Sequence, residues 1–213
     1  MPNWASPLLP RYNKPGTQVT HGHYMDKVKD KVVDLGPNCE GAAIGLVVPA
    51  YVTIDSIDQM NDHIKKFNGE IVGIDPGAGI MSATERAIDE YGLKNFRLME
   101  GTGAMMTAIL KEKIKKNEWV AVTGWTPHWK FARWDLKYLA DPKGVYGGEE
   151  TIHTIVRKGL KEDMPEVYEF LDNFHWSLQE IGKVMEWNAK GADPADSAKR
   201  WIKENPDRVK EWL

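Results

Sequence analysis

Cysteine is nearly absent: the 213 residues hold a single one, Cys39. That excludes an internal disulfide framework and any cysteine-rich zinc site. No run of about 18 apolar residues occurs, so the sequence offers no membrane-spanning helix. Neither sign of charge dominates, with 28 Lys+Arg against 31 Asp+Glu and a formal net charge of −3. Without a basic block there is no electrostatic footprint for DNA or RNA. Met1-Pro2-Asn3-Trp4 shows neither the charged nor the apolar region of a secretory leader. Repeats and low-complexity stretches are missing too, so the chain reads as folded outside residues 1–20. Tryptophan, by contrast, is abundant. There are nine, and four of them (Trp119, Trp125, Trp129, Trp134) fall within sixteen residues. The length accommodates one large domain or two small lobes.

Residues 1–24 are punctuated by Pro2, Pro7, Pro10, Pro15 and Gly16 and carry no periodic pattern. Asp26–Asp34 alternates charge with valine and suits a short helix or strand. The apolar run from Ala42 to Val52 predicts a buried strand, bent or confined to an edge by Pro49. Ile57, Met60, Ile64 and Phe67 then recur at helical spacing up to Asn68-Gly69. From Glu70 the pattern is βαβα: strands over 70–74, 96–100 and 119–123, helices over 80–91 and 104–116, with Thr102 as a cap. Strands alternating with helices of this length predict a mostly parallel sheet. Ile152–Val156 is a further strand. The C-terminal third is helical, with a helix over 165–173, a capping box at Ser177 and Glu180, an Asp193-Pro194 start and a last short helix from Pro206.

Gly77-Ala78-Gly79 sits between a strand and a helix, yet position 82 is Ser82, so the third glycine of a dinucleotide fingerprint is missing. What the turn does offer is unpaired backbone N–H groups at a helix N-terminus, which suits an anion such as a carboxylate. Trp125 follows a buried strand directly. It therefore lies at the carboxyl end of the sheet, where ligands bind in α/β folds, and Gly79 lies at the end of a neighbouring strand. Trp129, Trp134, Trp176, Trp187, Trp201 and Trp212 read as packing residues. His21 and His23 with Asp26 lack a third convergent ligand, so no metal site is expected. His63, His128, His153 and His175 read as structural, Cys39 has no partner histidine, and Glu149-Glu150 reads as a solvated pair. No cofactor, metal or catalytic group is expected.

An anion-binding helix terminus facing a tryptophan suggests a zwitterion, with a carboxylate at one end and a quaternary ammonium at the other. A trimethylated nitrogen cannot donate a hydrogen bond, so it is held by dispersion and cation–π contact, up to about 2 kcal/mol per desolvated ring. Micromolar affinity needs about −8 kcal/mol net. Carboxylate contacts add about 1.5–3 kcal/mol, and association opposes binding by at least about 4 kcal/mol. One ring falls short, and the expected site is a cage of about two or three.

These features resemble the glycine-betaine-binding proteins of ABC-type compatible-solute importers. The resemblance rests on Gly73–Met81, Thr123–Trp129, Asp135–Leu139, Ile152–Gly159 and Asn173–Trp176, in that order. It implies an α/β fold of the type II periplasmic-binding-protein kind: two lobes with mostly parallel sheets, a helical C-terminal third and no enzymatic activity. The lobe over 52–152 is expected to be complete. The other, built from 1–51 and 153–213, is expected to be incomplete, because a strand–helix–strand segment of relatives would precede residue 1. Carried over residue by residue, the resemblance gives the amides of Gly79 and Ile80 to the carboxylate and Trp125 to the aromatic cage. Thr20-His21-Gly22 resembles the end of a segment reading Trp-Leu-Pro-x-Thr-His, which adds His21 to the carboxylate site. The tryptophan of that segment aligns with Gly16, so its ring is absent there, and Trp4 is the remaining candidate. The implied partners are a betaine-like solute and an ABC permease, and the implied location is periplasmic or cell-surface.

Three other readings stand beside this one. An incomplete lobe would make the chain an interaction module that self-associates through exposed apolar surface. A small α/β enzyme with a nucleotide cofactor rests on Gly77-Ala78-Gly79 alone. A carbohydrate-binding module would use the tryptophans but is usually all-β.

Overall fold

Strand β1 is longer than the apolar run that announced it, because two left-handed glycines let an irregular sequence stay extended. The computed structural model describes Met25 and residues 27–213. Its strands are β1 (Val32–Pro49), β2 (Glu70–Val72), β3 (Arg97–Met99), β4 (Ala121–Thr126), β5 (Leu136–Tyr138) and β6 (Glu150–Arg157). Its helices are α1 (Gly79–Glu90), α2 (Gly103–Lys115), α3 (Lys130–Arg133), α4 (Leu160–Asp163), α5 (Pro165–Asn173), α6 (Leu178–Ala189), α7 (Pro194–Glu204) and α8 (Pro206–Lys210). A 3₁₀ helix spans Ile57–His63 where a longer helical turn is predicted. No described helix is long and apolar enough to cross a membrane.

The chain divides into two compact units. The first comprises the described residues up to 42 with 127–132 and 149–213, and the second comprises 43–126 and 133–148. In the second unit the strand order is β3-β2-β4-β1-β5. The pairs β2–β3 and β2–β4 are parallel, whereas β1 runs antiparallel to both β4 and β5. The sheet is therefore mixed rather than mostly parallel. Helical crossovers join β2 to β3 and β3 to β4, and such crossovers require parallel strands. Strand β1 precedes that run and β5 follows it by a short connection, so neither is so constrained.

Right-handed crossovers in opposite directions put α1 and α2 on opposite faces of the sheet. One face carries Leu46, Val48, Ile71 and Ala121, which share a buried cluster with Ile80, Ala83 and Ala87 of α1. On the other face Val47, Val72 and Val122 are equally buried. The turn before β2 uses Asn68 and Gly69, both at positive φ, as the Asn-Gly pair predicts.

In the first unit the early part of β1 pairs antiparallel with β6, and the register shifts between Asp34 and Ala42. Gly36 and Gly41, at φ 96° and 77°, supply the left-handed residues those bulges need. The helix signals read from the sequence hold. Ser177 and Glu180 form a reciprocal capping box, and the Asp193 carboxylate accepts from the N–H groups of Ala195 and Asp196. The late tryptophans pack as expected: Trp201 and Trp212 stack with ring centres 5.2 Å apart, and Trp212 meets Phe174 at 4.6 Å. Trp187 lies against the Arg200 guanidinium, 4.0 Å from the ring centre.

Candidate functional site

After β2 the chain must turn tightly, and Gly73 is where it does so. A Cβ there would lie 2.4 Å from the Met81 sulfur and 2.8 Å from the Met99 carbonyl oxygen. The Gly73 N–H donates to Met99 O, and the Gly101 N–H donates to Ile74 O, fixing the exit from β2. Helix α1 then starts at Gly79 with Ala78 as its N-cap, in extended conformation. Alanine has no side-chain acceptor, so no cap forms. The Met81 N–H reaches Ala78 O at 2.9 Å. Among the described residues, the N–H groups of Gly79 and Ile80 have no hydrogen-bond partner. Gly79 is exposed, while the Ile80 side chain anchors the turn in the core. The positive end of the helix dipole is thus open at the two residues expected to bind a carboxylate.

Strand β4 lies beside β2, with Val122 opposite Val72. It runs further than its apolar stretch suggests, so Trp125 belongs to the strand and faces Ile44 on β1. Thr126 closes the strand: its hydroxyl accepts from the Ala43 N–H at 3.1 Å and from the Tyr138 hydroxyl at 3.4 Å. Burial pushes the Tyr138 phenol far above its usual pKa. Gly45, opposite Gly124, lets the Tyr138 ring pass close by, 3.1 Å from where a Cβ would be. Trp125 is half-buried and packs with Ile44, Ile74 and Ala78 against the cluster that contains Ile80. Gly79, Ile80 and Trp125 therefore gather at the carboxyl ends of two adjacent parallel strands. His21 and Trp4 lie outside the described residues.

After β4 two titratable groups are buried: His128, read from the sequence as structural, and Lys130, which sequence reasoning missed. His128 is buried, its Nδ1 accepts from the Lys130 N–H at 3.1 Å, and burial followed by the charge of Lys130 pushes its pKa down to about 3. The Lys130 side chain is fully buried, and desolvation lowers its pKa to about 7. A lysine next to Trp129 and Phe131 reads as surface, and no periodicity in so short a segment says otherwise.

Two other described histidines, His153 and His175, make structural hydrogen bonds. His153 donates from Nδ1 to the Asp34 carboxylate at 2.9 Å and accepts from Thr151 Oγ1 at 2.9 Å. His175 donates to Asn173 O and accepts from Arg208. Cys39 is buried, which raises its thiol pKa and leaves it unreactive. Among the described residues no group of His, Cys, Asp and Glu could hold a metal ion.

Comparison with known proteins bears on the family and the fold. The chain is 49% identical over 162 residues to the glycine betaine/carnitine transport binding protein of Listeria monocytogenes, covering 75% of this chain. It spans only 54% of that protein's length. Among solved structures it is similar to the lactococcal glycine betaine complex in its closed-liganded conformation, with a TM-score of 0.76 and 43% identity. That match covers 93% of this chain and 76% of the other. A glycine betaine/L-proline-binding protein from Borrelia burgdorferi gives a TM-score of 0.75 at 39% identity, over 92% and 75% of the two chains. These matches show the type II periplasmic-binding-protein fold. The family profile extends over residues 6–204, and the chain accordingly belongs to the substrate binding domains of ABC-type glycine betaine transport systems, a family of binding proteins rather than enzymes.

Proposed function

We propose that this chain binds glycine betaine, or a close relative such as proline betaine, carnitine or choline, and hands it to the permease of an ABC importer outside the cytoplasmic membrane. One observation carries the reading: an uncapped helix with two unpartnered amides opens beside a half-buried tryptophan. The Gly79 and Ile80 amides hold the carboxylate, and the Trp125 face holds the methylated nitrogen, with His21 and Trp4 as further contributors. The two compact units are the two lobes that the resemblance implies. Titration calorimetry tests the core of this reading. Glycine betaine binds the unaltered chain, and Trp125→Ala weakens binding by roughly thirtyfold, the loss of one desolvated cation–π contact. Absence of binding heat with the unaltered chain overturns the proposal.

A second reading has its own observation. None of the α5 residues is buried, and Met164 and Val167 at its start are exposed. Self-association through this face would cover them. Light scattering that shows a monomer at high concentration removes this reading and leaves the first untouched.

A further inference from the structure

Helix α1 starts without a side-chain cap, although its first turn carries the two amides that the binding reading uses. A cap would occupy those amides, so a turn that keeps them open has to be held from its carbonyl side instead. The structure supplies such a hold. Thr84, one turn further along α1 and fully buried, donates its hydroxyl proton to Ile80 O at 2.8 Å. The same hydroxyl accepts from the Tyr146 hydroxyl at 3.0 Å. Tyr146 is itself buried, and burial pushes its phenol up, so it stays protonated and donating.

The loop that delivers Tyr146 is fixed in its turn. The Asp141 carboxylate accepts from the Tyr146 N–H at 2.7 Å and from the Tyr91 hydroxyl, and the Lys143 N–H donates to that hydroxyl at 2.8 Å. The Gly144 N–H closes the loop onto Asp141 O at 3.0 Å. Ile80, Thr84, Ala87 and Tyr91 recur at helical spacing along one stripe of α1. Residues 141–146 therefore grip the helix at both of its ends. A threonine inside a helix is a poor choice on propensity alone, and bonding back to the carbonyl four residues earlier is its usual recourse. Here a second donor locks that hydroxyl, and each bond in such a chain strengthens the next. We propose that Thr84 and Tyr146 are positioning residues for solute binding, a relay that anchors the first turn of α1 by the Ile80 carbonyl and so keeps the Gly79 and Ile80 amides fixed yet open. This rests on the binding reading above, because it needs the acid end of the solute at those amides.

The test measures glycine betaine affinity by calorimetry on the full chain, with a thermal melt of each variant beside it. Tyr146→Phe and Thr84→Val each weaken binding by about fivefold, the value of one ordinary hydrogen bond. Thr84→Ser, which keeps the relay, stays within about twofold of the unaltered protein. The double variant Tyr146→Phe/Thr84→Val binds no more weakly than Thr84→Val alone, since both changes break one chain of bonds. Tyr91→Phe is the control for stability: it breaks two hydrogen bonds at the far end of the same helix. It lowers the melting temperature at least as much as Tyr146→Phe, yet it leaves affinity within about twofold. Unchanged affinity in Tyr146→Phe, or an equal loss in Tyr91→Phe, overturns the relay and spares the binding reading. Failure of the unaltered chain to bind glycine betaine overturns the binding reading and the relay with it.

Discussion

The two units of this chain are held together by different means. Of the buried apolar residues described, only Cys39, Ala42, Val156, Leu160, Ile181, Trp201 and Trp212 lie in the first unit; the others fill the second. The second unit thus rests on an aliphatic core around Leu46, Ile57, Met60 and Ile71, none of them exposed at all. The first relies on aromatic contacts, capped helices and ion pairs such as Lys183–Glu204 and Arg157–Asp163, whose side chains stay largely in water. Pairs of that kind contribute about 0–1 kcal/mol each, far less than a buried aliphatic side chain. Of the residues proposed for binding, Gly79, Ile80 and Trp125 sit in the denser unit. A rigid base suits groups whose geometry must be fixed before the ligand arrives.

The largest expected effect tests that contrast directly. Leu46→Ala opens a cavity in the aliphatic core and destabilises by about 3–5 kcal/mol. Ile181→Ala, at a position that is 8% exposed where the surroundings can relax, loses closer to about 2 kcal/mol. Urea titration of both variants decides the matter. Equal losses would mean that the first unit is packed as tightly as the second.

Protonation separates the units next. His128 belongs to the first unit and is held neutral, with its pKa pushed down to about 3. Its unfolded value is about 6.5, so the stability it contributes is fully present above pH 6.5 and is lost as pH falls towards 3. At pH 4 the loss is of the order of 3 kcal/mol, and His128→Gln flattens that acid limb. The second unit responds at the other end of the scale. Tyr91, buried and hydrogen-bonded to Asp141, is pushed up to about 12, and burial raises Tyr138 and Tyr146 further. Raised phenols contribute stability below about pH 10 that is lost as pH climbs through their folded values. Hydrogen exchange followed across pH should show residues 149–213 opening first in acid and residues 43–126 opening first in alkali. The same unit failing first at both extremes would contradict this division.

Where local chemistry settles an element, the sequence was enough to find it. Ser177 with Glu180, Asp193 with Pro194, and Thr102 each cap the helix they announce, because a cap involves only residues within one turn. The strand that carries Trp125 was legible from its apolar run, though not its end, since Gly124 and Thr126 join the ladder through pairing with β1. Strand directions were legible only for the βαβα run. The antiparallel course of β1 depends on partners from 75 (Val47–Val122) to 125 (Val32–Arg157) residues further on, which no local period encodes. The buried Lys130 was out of reach for a similar reason: its burial is a property of the tertiary fold and leaves no trace in its neighbours' residue types. The uncapped start of α1 was visible all along, as an alanine standing where a helix would ordinarily recruit Ser, Thr, Asp or Asn.

That alanine gives the smallest expected change in stability and the sharpest test of the binding unit. If Ala78 is kept so that the Gly79 and Ile80 amides stay open, a residue able to cap them must improve the fold and harm binding at once. Ala78 already has the extended backbone of an N-cap, at φ −75° and ψ 138°, so Ser or Asp fits without strain. Ala78→Ser should stabilise by about 0.5–1 kcal/mol through a hydroxyl that accepts from the first turn. Ala78→Asp should add a favourable charge–dipole contact of about 0.3–1 kcal/mol. The same carboxylate then occupies the ligand's place and repels its acid end, so glycine betaine affinity falls by at least about tenfold, with the serine variant between. Thermal melts and calorimetry on the two variants measure both quantities. A stabilised Ala78→Asp protein that binds with undiminished affinity would show that the carboxylate is held elsewhere and that the open helix end is incidental.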